Sequence, residues 1–225
     1  MLSGGGENRS IQTSYSWTLA PTVTLVDSGE LIVAARFLGV AHPPGFPLYV
    51  MLAHLASLVP IGSVALRINF ASALFAALAC TMLTLVVAEL MIIRSYLAAL
   101  KRGFRKKTAS KSKKISIGAR DDPASNPLMV LLPALVSGLL LAFSRTFWSY
   151  ATIAEVYTLN TLLILIIFFL MLRWRRRIIE DERRISANPD STRPAPVIPD
   201  YDFLLYAAAF VFGLALGVHH VTVAL

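Results

Sequence analysis

The sequence has few charges and almost no cysteine. Charged residues make up 15% of its 225 positions, where soluble domains carry about 25%. That shortfall argues against an ordinary cytosolic globular protein. The single cysteine, Cys80, lies inside an apolar run, so an intrachain disulfide is impossible and a cysteine-based zinc site is unsupported. The glycine run Ser3-Gly4-Gly5-Gly6 is followed by no Lys-Ser/Thr pair, which excludes a phosphate loop. No basic segment precedes a long apolar stretch at the N-terminus, so a signal peptide fits poorly. What is plentiful is apolar surface. Hydrophobic residues are 56% of the chain and mean hydropathy is +0.65, which excludes disorder for most of its length.

A spanning helix needs about 20 mostly apolar residues. Four stretches qualify as spans: Ile68 to Ile93, Leu128 to Ser144 (short but uncharged), Ala151 to Leu172 and Phe203 to Leu225. A fifth, Leu48 to Val59, is bounded by Pro47 and Pro60 and repeats apolar residues at helical spacing. At about a dozen residues it suits a short interfacial or re-entrant helix. Residues 1–16 form a polar tail, and Ser16–Val26 is either the end of a partial first span or part of an extracytoplasmic tail. The expected fold is therefore all-α: a polytopic transmembrane helical bundle of about four full spans, a short interfacial helix and a possible partial first span, occupying residues 17–225.

The net charge of +8 would suggest nucleic acid in a soluble protein. Here it has a different distribution. Ten cations and no acid lie from Arg94 to Arg120, and Arg173, Arg175, Arg176, Arg177, Arg183, Arg184 and Arg193 follow the third span, so two segments hold 17 of the 21 cations. The positive-inside rule places both loops, 94–127 and 173–202, in the cytoplasm. They read as orientation signals that touch anionic lipid. Nucleic acid is not an expected partner, because beyond Tyr96 at its start only Phe104 interleaves the cations of the first loop. The Pro-rich stretch Ser186–Asp200 is a cytoplasmic linker.

With that orientation, the unusual polar residues gather on the extracytoplasmic face. They are Asp27 and Glu30, His42 in His42-Pro43-Pro44-Gly45, Arg67, then Arg145, Trp148, Tyr150, Glu155, Tyr157 and Asn160, and finally His219 and His220. Ionisable groups at membrane level are costly and mark sites. Each also has a structural reading. Asp27 with Glu30 resembles a capping box, Pro43-Pro44-Gly45 is a rigid turn, and the aromatics suit an interfacial belt. Glu155 and Arg145 suit a structural ion pair, and Glu89 a solvated helix end. Adjacent His219 and His220 point about 100° apart on a helix, so hydrogen bonding or phosphate contact suits them better than one shared ion. Nothing in the sequence requires a metal or a cofactor.

Three segments together resemble one family: TLAPTVTLVDSGELIVAARFLGVAHPPGFPLYVMLAHLASLVPIGSVALRINFASALFAAL (18–78), FSRTFWSYATIAEVYTLN (143–160) and GLALGVHHVT (213–222). The combination is similar to the transmembrane protein 260-like family (domain of unknown function 2723). The resemblance implies a GT-C-type membrane glycosyltransferase, with a polyprenyl-phosphate sugar donor, a protein or glycan hydroxyl acceptor and membrane lipid as partners. It also implies a catalytic acid in the first extracytoplasmic loop, the place of Asp27, with Glu30 beside it. His42, Arg67, Arg145, Glu155, Tyr157, His219 and His220 are the candidate substrate and donor contacts. Family members continue beyond this length, so the expectation is the N-terminal part of a longer enzyme in a bacterial plasma membrane or the endoplasmic reticulum. Two other readings compete: a transporter or channel fragment, whose site would lie near the midplane, and a non-catalytic membrane scaffold.

Overall fold

The computed structural model describes residues 18–24, 27–109, 127–187 and 201–224, with side chains for all of these except 99–109, 183–187 and 219–224. Among the described residues there are seven helices and no strand: α1 (Ser28–Phe37), α2 (Pro47–Ser57), α3 (Val64–Ala109), α4 (Pro127–Ala142), α5 (Arg145–Ala151), α6 (Tyr157–Ala187) and α7 (Phe203–Ala224). The expected all-α bundle is what forms.

Helix α3 is the spine. From Val64 to Lys101 it contains neither glycine nor proline, so nothing interrupts its backbone hydrogen bonds. One face carries Ala73, Ala76, Ala77 and Cys80, all fully buried. Small side chains there let α4 and α6 approach closely, and α7 packs on the far side of α6. Two segments are long and apolar enough to cross a membrane, Val64–Ala98 and Tyr157–Glu182, and α4 with α5 makes a third if the pair, bent by 64°, is one span. The expected fourth span is the continuous helix α7. Its fully described part, Phe203–Val218, falls short of a crossing length. Helix α2 has Pro47 in its first turn, where the missing N–H costs nothing. Its 11 residues reach about 16 Å, half the hydrocarbon thickness, as its short apolar run suggests.

Several expectations needed correction. The basic segment after Ile93 does not begin as a loop: α3 continues to Ala109 and α6 to Ala187. The described part of the possible first span, residues 18–24, is not helical. Its backbone polar groups are taken up by the bundle instead. Asn69 Nδ2 donates to Ala20 O at 2.8 Å, Ser63 Oγ donates to Pro21 O at 3.3 Å, and the Ala20 N–H donates to Thr152 O at 3.0 Å. Glu89 is not a solvated end. It is buried, with Arg173 Nη1 at 2.9 Å and Arg176 Nε at 3.0 Å. This pair links α3 to α6 near one end of the bundle, while Ser72 meets the backbone of Glu155 near the other. The two helices therefore run parallel, and both basic segments leave the bundle at the same end. Arg173 and Arg176 thus have a structural partner besides any part in orientation.

Candidate active site

The opposite end of the bundle collects α1, α2, α5 and the start of α3 and α6. Asp27 stands at the N-cap of α1 but makes no capping hydrogen bond, and Glu30 does not reach back to it. The expected capping box is absent because Glu30 is engaged elsewhere. Its Oε1 accepts the backbone N–H of His42 and its Oε2 lies 3.0 Å from His42 Nδ1. A ring nitrogen this close to a carboxylate carries the hydrogen and donates it. The loop 38–46 makes this possible by folding back on α1. Leu38 and Phe46 adopt left-handed conformations at φ 51 and 48, and the Gly45 N–H (φ 85) closes a turn on His42 O at 2.8 Å. The His42 ring is held edge-on to Phe46 at 5.3 Å. Nε2 of His42 then faces Asp27 Oδ2 at 3.9 Å. The hydrogen bonds from His42 hold the Glu30 carboxyl below its ordinary value.

Glu155 approaches from the junction of α5 and α6. It is 3% exposed. Burial, and next the negative charge of Asp27, push its carboxyl above the ordinary value of 4.5, against a hydrogen bond from the Val156 N–H. Its backbone is fixed by a network that sequence reasoning did not find. Ser72 Oγ accepts the Glu155 N–H at 3.3 Å and lies 3.1 Å from Tyr49 Oη, which is fully buried. Tyr49 lies on the buried face of α2 with Val50, Ala53 and Ser57, off the stripe of Met51, Leu55 and Leu58 that the spacing picks out, and Ser72 lies between alanines of α3, so neither carried a sequence signal. His54, on the same helix as Tyr49, donates Nδ1–H to Ala35 O at 2.8 Å and ties α2 to α1.

The remaining candidates divide. Arg67 points at its own loop. Nε donates to Ile61 O at 2.8 Å, Nη1 to Ser57 O at 2.7 Å and Nη2 to Gly62 O at 2.8 Å. It thus holds the end of α2 against the start of α3. Arg145 is exposed at the bend between α4 and α5 and forms no ion pair with Glu155 among the described contacts, so the expected bridge is not made. Tyr157 stacks obliquely on Tyr150 with ring centroids 4.7 Å apart, and Trp148 lies parallel to Phe143 at 5.9 Å. His219 and His220 belong to the backbone of α7, and their side chains lie outside the described ones. Gly217, two positions before His219, turns its bare backbone toward Leu48 and Pro47 of α2.

Two clefts flank this end. One is apolar, about 450 Å³, between Leu19, Val59, Ile61, Leu66 and Phe70 with Arg67 at its wall. The other is more polar, about 770 Å³, lined by Val23, Thr24, Ser149, Thr152 and Ile153. The second is bounded by the segments that lead into Asp27 and Glu155.

A helical membrane protein with an acid–histidine cluster and a buried carboxyl at one end of its bundle is thereby defined. Residues 27–225 match the family described as the Protein O-mannosyl-transferase TMEM260 N-terminal domain, and the chain belongs to that family. The mouse Protein O-mannosyl-transferase TMEM260 is 32% identical over 175 residues, covering 77% of this chain and 20% of the relative. The Protein O-mannosyl-transferase tmem260 of Dictyostelium discoideum is 28% identical over 213 residues, covering 93% of this chain and 20% of the relative. The chain spans about a fifth of the length of these curated relatives. No solved structure matches it significantly.

Proposed function

We propose that this chain carries the catalytic end of a membrane mannosyltransferase, which moves mannose from a polyprenyl-phosphate donor to a protein hydroxyl on the extracytoplasmic side. The observation that carries the reading is the meeting of Asp27, the Glu30–His42 pair and buried Glu155 at the bundle end away from the basic segments, in a family whose curated relatives are named O-mannosyl-transferases.

The reaction asks little of the protein. Asp27, 53% exposed at its side chain, takes the proton of the acceptor hydroxyl. The acceptor oxygen forms its bond to the anomeric carbon as the bond from that carbon to the phosphate oxygen breaks. The electron pair leaves with the polyprenyl phosphate, and the anomeric centre inverts. A positioned base contributes about 10²–10⁴-fold. Positive groups aimed at the departing phosphate contribute further. Arg145, exposed at the helix bend, is the candidate for it, with His219 and His220 as further candidates, whereas Arg67 acts through its loop. Glu155 and Tyr157 face the sugar, the more polar cleft admits the acceptor and the apolar cleft takes the lipid chain. The site's position at a bundle end also disfavours a transporter, whose site would lie near the midplane.

The test is made in cells with the native gene. Asp27→Asn is introduced at the chromosomal locus, and O-linked hexose on secreted and membrane proteins is mapped by mass spectrometry. The proposal expects a defined set of Ser/Thr sites to lose hexose. An unchanged set, with the variant protein present at its normal level, overturns it.

A further inference from the structure

Helices α1 and α2 are too short to cross a membrane, yet the chain around them carries no charge. From Phe37 to Leu66, thirty residues pass without Asp, Glu, Lys or Arg. The two histidines in this stretch are engaged, His42 with Glu30 and His54 with Ala35 O. The outer face of the helix pair is apolar and open. Val33 and Phe37 on α1, with Met51, Leu55 and Leu58 at one-turn spacing along α2 and its C-cap, are each more than half exposed. A contiguous apolar patch of this kind marks an interaction surface.

Two contacts fix how deep the pair sits. On α3, the 21 residues between Arg67 and Glu89 are uncharged. Their length of about 31 Å matches a hydrocarbon layer of about 30 Å. Tyr49 Oη lies 3.1 Å from Ser72 Oγ. Ser72 stands five residues inside Arg67, about 8 Å below that level and about 26 Å above Glu89. The start of α2 is marked independently from α7. Trp174 Nε1 donates to Asp202 Oδ1 at 3.4 Å, next to the Glu89–Arg173 pair. Gly217 is fifteen residues further along, about 22 Å up, and faces Leu48 and Pro47. Both marks fall inside the hydrocarbon, and helix tilt would lower both. Arg67 meanwhile donates to Ser57 O at 2.7 Å, so α2 climbs from inside the layer to its edge.

What covers the open face follows from its side chains. Helices packed together in a membrane meet through small residues. The inner faces are built that way, with Ala34 and Ala35 of α1 and Ala53 and Ser57 of α2 all buried. The open face carries large side chains instead, which hold another helix off and suit acyl chains. We propose that α1 and α2 are seated in the leaflet opposite the basic segments, with Val33, Phe37, Met51, Leu55 and Leu58 in contact with its acyl chains. The pair thereby extends the lipid-facing surface of the spans up to the loop that carries His42. None of these contacts depends on mannosyl transfer.

Cys80 is the single cysteine of the chain, so single spin labels can be placed in a Cys80→Ala background. The label sites are Met51→Cys, Leu55→Cys and Leu58→Cys, with Phe210→Cys on the exposed face of α7 as the span reference. The chain is reconstituted in phosphatidylcholine vesicles, and collision with oxygen and with a water-soluble nickel chelate is read by electron paramagnetic resonance. Labels at positions 51 and 55 should meet oxygen severalfold more than nickel, as at position 210, and position 51 should lie deeper than position 58. Nickel in excess at positions 51 and 55 means a water-facing surface, and little collision with either reagent means cover by protein. Each overturns the proposal, as does a label at position 58 deeper than one at position 51. The unmutated chain supplies a reading that survives a misfolded variant. A phosphatidylcholine with a diazirine on its acyl chain should, on illumination, modify residues 47–58 as readily as the exposed face of α7. Modification of α7 without 47–58 overturns the proposal.

Discussion

Arg67 separates two accounts of this end of the bundle, and Arg67→Lys distinguishes them. If the residue contacted the donor phosphate, lysine would largely serve, since it binds phosphate as a point charge. The structure gives a different employment, a guanidinium fork on the carbonyls of Ser57, Ile61 and Gly62 at 2.7–2.8 Å. A hydrogen bond from a charged group contributes about 1.5–3 kcal/mol net. The contact to Ser57 O is partly buried and the other two are exposed, so water competes for those two and the set together is worth about 3 kcal/mol. An ammonium group cannot spread to three diverging carbonyls as the planar fork does. Lysine should retain about one contact and cost about 2 kcal/mol. For a chain of this size that lowers the unfolding midpoint by about 4–8 °C. Thermal unfolding in detergent, paired with donor titration in a transfer assay, reads both quantities. The reasoning predicts that Arg67→Lys and Arg67→Ala are similarly unstable and that donor KM follows the loop rather than the charge. A lysine variant as stable as the parent, with donor KM restored relative to alanine, would refute it.

Other outcomes follow from the same geometry. Tyr49→Phe should cost about 1 kcal/mol, whereas Ser72→Ala, which strands both the Tyr49 hydroxyl and the Glu155 N–H, should cost about 2 kcal/mol; a double-mutant cycle of unfolding energies measures the coupling. Glu155, whose carboxyl is raised from 4.5 chiefly by burial, binds its proton more tightly folded than unfolded. Its contribution therefore falls as pH rises through the window from 4.5 to the folded value, and Glu155→Gln should remove that decline from a series of unfolding midpoints across pH 4–8, values within about that range being practical for detergent samples. Glu89→Gln takes the shared carboxylate from Arg173 and leaves Arg176 with only Glu180 at 3.8 Å, and should destabilise the bundle by about 3 kcal/mol, visible as a lowered midpoint with the helix content of the folded state unchanged.

Much of the bundle was legible because apolar runs report burial or lipid contact directly. The cores of α3, α4, α6 and α7 follow from such runs, and the Pro47-bounded α2 from a short one. Helix ends were less legible. The basic segments beyond Ile93 and Leu172 look like loops by charge, yet lysine and arginine are good helix formers, and α3 and α6 continue through them. Glu89 looked solvated because its partners lie 84 and 87 positions away, on a helix whose register against α3 no local pattern reveals. The convergence of Asp27, Glu30, His42 and Glu155 on one face followed from alternating helix direction. Their pairing did not. Asp27 and Glu30 have the spacing of a capping box, and only the fold-back of 38–46 turns Glu30 to His42. Those two stand twelve positions apart, with the Pro-Pro turn just after His42, a spacing that no local pattern announces. Tyr49 and Ser72 remained hidden because a buried hydroxyl among alanines and leucines reads as core.

The central claim is that Asp27 takes the proton of an acceptor hydroxyl during transfer of a lipid-linked sugar. The direct measurement uses membranes carrying the native gene product, radiolabelled polyprenyl-phosphate mannose and a Ser/Thr-containing acceptor peptide. Asp27→Asn should lower kcat by about 10²–10⁴-fold with donor KM little changed. Transfer at the parental rate by Asp27→Asn would contradict the account.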